Sequence, residues 1–177
     1  LKFLEFIENH FPNKLYKYFS KSLFVYANVP YKIKSYEDIL KDSKNTIDYD
    51  HQNELLIDKR KDEIGIDGSL VYNNNSDIHR VNFIEKILAT LLSKVSNFIP
   101  EGGIWMNTQR PEWNDANNAL VGNGISMVTL YYLRRFVDFF NSLLEKTDLI
   151  SVEISSELNK FFNDIYFALN ENKNVIN

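Results

Sequence analysis

The sequence predicts an all-α protein built of helical hairpins, with a short β segment near residues 64–72. Two observations carry that prediction. Apolar residues recur at helical spacing in three long stripes of the second half. Between residues 64 and 72 the helical pattern gives way to an Asp67-Gly68 turn followed by Leu70-Val71-Tyr72, which reads as a short strand.

The elements follow in order. Leu4, Ile7 and Phe11 keep helical spacing, and Pro12 ends that segment. Residues 13–34 are rich in aromatics, including Tyr16, Phe19, Phe24, Tyr26 and Tyr31; Leu23 to Tyr26 fits either a short strand or a helix end. Ser35 before Tyr36-Glu37-Asp38 reads as a helix N-terminus with acids in its first turn. Another helix is expected from about Asp48 to Glu63, with Asp58 to Glu63 as a solvated face of mixed charge. The cluster Asp48, Asp50, His51 and Glu54 is read as acids at that helix N-terminus. The first long stripe is Val81, Ile84, Leu88, Leu91, Val95 and Phe98, stopped by Pro100. The second is Met127, Leu130, Tyr131, Leu133, Val137, Phe140 and Leu144, with Ser126 as its N-cap. The third is Ile154, Leu158, Phe161, Phe162, Ile165 and Leu169. Core packing is expected to account for all three.

The chain has 177 residues, which corresponds to a single domain, 1–177. It opens with Leu inside an expected helix, so it reads as a piece of something longer. Its net charge of −4 disfavours a general nucleic-acid binder. The absence of cysteine excludes disulfides, thiolate catalysis and cysteine-type zinc sites. No apolar run approaches the roughly 20 residues that cross a bilayer. Glu5 and Glu8 interrupt the opening apolar residues, so these do not form a secretory signal, and a cytoplasmic protein without membrane attachment is expected. The sequon at Asn74 is accordingly expected to carry no glycan. His10, His51 and His79 are scattered, and no metal site or cofactor is expected.

Residues 102–126, between the first two stripes, are different. Helix–helix connections usually take about 2–8 residues, and this window is far longer. It holds both tryptophans, Trp105 and Trp113, and four of the six glycines. It also holds Asn107, Gln109, Asn114, Asn117, Asn118 and Asn123, with no lysine; its charged residues are Arg110, Glu112 and Asp115. Flat aromatic rings cover the C–H face of a sugar, while amides, guanidinium and carboxylates bond its hydroxyls in fixed geometry.

The string Trp113-Asn114-Asp115-Ala116-Asn117-Asn118, followed by Gly122-Asn123-Gly124-Ile125-Ser126 and an apolar helix, resembles a segment of the inverting glycoside phosphorylases of the cellobiose phosphorylase type. Cyclic β-glucan synthase and amylo-glucosidase relatives carry related segments. The resemblance covers about 25 residues. It implies an (α/α)6 toroid, of which this chain would be part, with catalytic and sugar-binding residues on long loops at one end. It also implies that Asp115 is the general acid.

Glycoside cleavage ordinarily uses two carboxyl groups flanking the bond. Glu112 is the second candidate, as the base that activates water. Trp105, Asn107, Gln109, Arg110, Trp113, Asn114, Asn117 and Asn118 are the candidate substrate-binding residues. A phosphorylase needs a phosphate pocket, and Arg110 is the window's one cation, with His79-Arg80 the next basic pair in sequence. The expected function is therefore that of a carbohydrate-active enzyme, or the catalytic-loop portion of one, cleaving glycosidic bonds by inversion; the single arginine leans it to hydrolase-like and leaves hydrolase against phosphorylase open, with a carbohydrate substrate and no nucleic-acid partner. The missing remainder of its own parent chain is the other expected partner. The alternatives are a non-catalytic helical module that binds a glycan or another part of its parent protein through the same loop, and a protein-interaction module with the aromatics of 13–34 as its interface.

Overall fold

A computed structural model describes residues 1–107 and 122–176. Its elements run α1 (Lys2–His10), β1 (Phe24–Val25), β2 (Tyr31–Ile33), α2 (Tyr36–Lys41), β3 (Ile47–Tyr49), α3 (His51–Ile64), β4 (Arg80–Val81) and α4 (Phe83–Val95). Then follow β5 (Phe98–Ile99), β6 (Gly103–Trp105), β7 (Ile125–Ser126), α5 (Met127–Glu145), α6 (Ser156–Glu171) and α7 (Lys173–Ile176). Short 3-10 turns occupy Leu15–Tyr18 and Gly65–Ser69.

The expectation of an all-α fold made of toroid hairpins is corrected. Among the described residues 55% are helical and 13% lie in strands or bridges, which form three small antiparallel sheets: β1-β4, β2-β3 and β5-β6-β7. The physical reason is strand length. Each strand has two or three residues, too few for an alternating pattern to register. The β2-β3 ladder matches Tyr31 with Tyr49, Lys32 with Asp48 and Ile33 with Ile47. Asp48 is therefore a strand residue, ion-paired with Lys34 at 3.6 Å, and not the start of a helix. In the anticipated β segment, Gly65–Ser69 is a 3-10 turn, and Leu70 and Tyr72 make isolated bridges to Ala27 and Ile78.

Two compact units emerge. The first comprises residues 1–24, 81–104 and 126–177. Its core is Leu15, Phe19, Phe83, Ile84, Ile87, Phe140 and Leu143. Phe19 stacks on Phe83 at 5.9 Å between ring centroids and meets Phe140 edge-on at 6.3 Å. A buried polar staple ties two helix starts together. Asn82 caps α4 by accepting from the Glu85 amide at 2.9 Å, and its side-chain amide donates to the Glu153 carbonyl. Glu85, itself buried, accepts from the Ser155 amide at 3.0 Å just before α6.

The stripes divide unevenly. On α4 the buried face is Phe83, Ile84, Ile87 and Leu92, while Val81 and Phe98 belong to strands. On α5 only Phe140 and Leu143 are buried; Met127, Tyr131, Val137 and Leu144 are exposed. On α6 only Leu158 is buried. Core packing thus explains the α4 stripe but leaves much of the other two uncovered, which corrects the expectation for them.

The second unit comprises residues 25–80 and 105–125. Here Ser35 caps α2, accepting from the Asp38 amide at 3.2 Å, and Asp50 caps α3, accepting from the Asn53 amide at 3.0 Å. Glu54 accepts from the Tyr49 hydroxyl. The charge run on α3 pairs Lys61 with Asp58 at 3.1 Å and sets the Arg60 guanidinium 4.8 Å from the Tyr72 ring centre. Gly68 lies against the backbone of Arg60 and Lys61, where any side chain would collide. No helix among the described residues is long and apolar enough to cross a membrane.

Candidate functional site

The window predicted to carry chemistry starts and ends in short strands. Trp105 closes β6, and Ile125-Ser126 forms β7. Just inside them, the Met106 amide donates to the Gly124 carbonyl at 3.0 Å and the Gly122 amide donates to the Met106 carbonyl at 2.6 Å. The two ends of the window are thus joined by backbone hydrogen bonds. Ser126 then caps α5 as expected, accepting from the Thr129 amide at 3.1 Å.

Trp105 is half-buried, and its indole Nε1–H donates to the Gly122 carbonyl at 3.1 Å. That bond satisfies its one polar group and fixes the ring. Tyr36, the first residue of α2, meets it edge-on, with centroids 6.0 Å apart and planes at 85°. Tyr36 is 60% exposed, so this aromatic corner has one member open to solvent. Asn107 is half-buried one residue past Met106. The other candidates, Gln109, Arg110, Glu112, Trp113, Asn114, Asp115, Asn117 and Asn118, lie outside the described residues.

Sequence reasoning missed Tyr36 because it treated 35–38 purely as a helix start. A large aromatic at the first position of a short helix was the available signal. On the same helix, Asp38 is held below the usual carboxylate range by the hydrogen bond from Lys41 at 2.9 Å, and further by the one from the Ser35 hydroxyl. A lowered carboxyl stabilises the fold above its ordinary pKa, and that help disappears as pH falls through the lowered value. Asp38 is therefore ionised at neutral pH and cannot serve as a proton donor.

Gly122 is the joint of this arrangement. Its φ is 73°, a left-handed conformation, and a Cβ there would overlap the Ser43 carbonyl. The backbone strain of a side chain costs about 1–2 kcal/mol, and displacement of Ser43 adds to it. Gly122→Ala is expected to lower the melting temperature and to shift tryptophan fluorescence as the indole loses its acceptor. Unchanged emission would show that Trp105 is held by something else.

The chain matches no protein family and no curated protein.

Proposed function

We propose that the chain handles a carbohydrate and cleaves a glycosidic bond by inversion. The observation that carries this reading is the Trp105–Tyr36 corner, held by the Gly122 carbonyl at the joined ends of a window rich in tryptophan, amides and carboxylates. A fixed indole beside an exposed phenol suits the apolar face of a sugar ring, and the window's amides suit its hydroxyls. The motif Trp113-Asn114-Asp115 supplies the chemistry.

In this reading Asp115 is protonated and gives its proton to the glycosidic oxygen as the bond to the anomeric carbon breaks. Glu112 takes a proton from a water that attacks that carbon from the opposite face. The sugar is released with inverted configuration. Trp105 and Trp113 cover sugar rings; Asn107, Gln109, Arg110, Asn114, Asn117 and Asn118 bond hydroxyls. No cofactor takes part.

The test is a titration with gluco-, xylo- and manno-oligosaccharides, followed by tryptophan emission and by release of reducing ends. At least one sugar should give saturable quenching and new reducing ends, with affinity weakened in Tyr36→Ala. Quenching without cleavage would reduce the proposal to a glycan-binding module. Neither response to any sugar would contradict it.

A further inference from the structure

Helix α1 packs with one side and displays aromatics away from it. Leu4 and Ile7 lie against the core cluster of the first unit, together with Leu15, Tyr16 and Phe19 from the residues that follow. Those residues sit beside the helix: the Lys14 amide donates to the Phe11 carbonyl at 3.1 Å, and the Tyr16 hydroxyl donates to Glu8 at 3.5 Å. Away from these contacts, Phe3 is 72% exposed, Phe6 53% and Phe11 56%. Phe6 stacks on the equally open His10, with ring centroids 4.0 Å apart. Exposed phenylalanines this close together mark an interaction surface.

The charges around them say what it meets. Residues 1–24 hold four lysines, two glutamates and His10, and no arginine. Both glutamates are engaged inside the unit, Glu5 by Arg135 at 3.3 Å and Glu8 by Lys146 at 3.9 Å, each from α5. Glu5 lies about 200° round the helix from Phe3. Two further acids, Asp138 and Glu145, line the cleft on that Glu5 side. Lys2, Lys14, Lys17 and Lys21 are all exposed, and none forms an ion pair with a described residue. The segment thus offers four unmatched positive charges on a chain whose net charge is −4. Open phenylalanines among lysines suit a membrane interface, where rings enter the acyl boundary and ammonium groups meet anionic headgroups. A nucleic acid fits less well, since the segment has no arginine to grip phosphate or base edges with two bonds.

We infer that this face seats on an anionic lipid surface, with Phe3, Phe6 and Phe11 in the boundary below the headgroups and the four lysines against their negative charges. This is attachment at the surface and not a span, and it departs from the expectation of a chain without membrane attachment. It does not depend on the carbohydrate reading, since every residue it uses belongs to the first unit.

Flotation of the full chain with two kinds of vesicle tests it, one of phosphatidylcholine alone and one of phosphatidylcholine and phosphatidylserine in equal parts. The chain should float with the mixed vesicles and not with the neutral ones, and should be released as salt rises. Lys14→Gln, Lys17→Gln and Lys21→Gln together should weaken binding about a hundredfold. Phe3→Ser with Phe6→Ser should weaken it about tenfold. Circular dichroism melting of both variants should match the parent, since every replaced side chain is exposed. A chain that floats with neither vesicle overturns the inference, and retention by single-stranded DNA in that case would give the lysines to a nucleic acid. Equal flotation with both vesicles, or binding indifferent to the lysine variant, overturns the anionic headgroup. Binding indifferent to the phenylalanine variant overturns the seating of α1.

Discussion

Asp115→Asn is expected to reduce glycosidic cleavage by about 10²–10⁴-fold while leaving oligosaccharide binding and the melting temperature unchanged. An asparagine preserves the size and polarity of the side chain but has no proton to give to the departing oxygen, and a positioned general acid is worth about that factor. The loss should be smallest on substrates with a good leaving group, such as aryl glycosides, whose oxygen departs without protonation. Glu112→Gln should behave differently. It removes the group that activates water, so aryl glycosides should suffer as much as natural sugars, and added azide should restore their turnover by attacking in place of water. Equal activity in Asp115→Asn would remove the assignment of the acid.

Leu143→Ala is expected to be among the most damaging truncations in the first unit, at about 2–5 kcal/mol. Leu143 is fully buried in the cluster with Phe19 and Phe140, and the aromatic neighbours stacked around it have little freedom to close the gap. The adjacent Leu144 is 36% exposed, and the same truncation there should cost far less. Urea unfolding measures both. The Leu143 variant should lower the midpoint with an unchanged slope. Equal losses at the two positions would mean that α5 turns a different face to its core.

That pair of leucines also shows where sequence reading stops. Val137, Phe140 and Leu144 keep helical spacing, and so do Phe136, Phe140 and Leu143. Periodicity finds the helix but cannot choose between two overlapping apolar faces when both are present, and the first series was read as core. Local signals survived better. Ser35 and Ser126 were legible as caps because a serine hydroxyl accepting from the amide three residues on depends on no distant partner. The strands were not legible for the opposite reason. Tyr31–Ile33 exists only because Ile47–Tyr49 lies beside it, and three residues contain no period of their own. The polar staple of Asn82 and Glu85 likewise depends on Glu153 and Ser155, about seventy residues away.

At the candidate site, the unusual composition of 102–126, Trp105 included, is visible in the sequence. The partners of Trp105 were not visible. Tyr36 is far away in sequence, and the Gly122 carbonyl is a backbone group that no residue type announces. Gly122 is one of the four glycines of that window. Its close neighbour is the chain's own Ser43, and its task within the described residues is to make the turn that presents its carbonyl to Trp105.

Inversion with Asp115 as the acid is tested most directly by proton NMR of the first product. A β-linked oligosaccharide that the chain cleaves is followed from the earliest minutes, before the released sugar mutarotates. The α-anomer signal is expected to appear first, and Asp115→Asn should suppress it. A β-anomer appearing first would mean retention, with a carboxylate nucleophile in place of an activated water, and would contradict the roles given to Asp115 and Glu112.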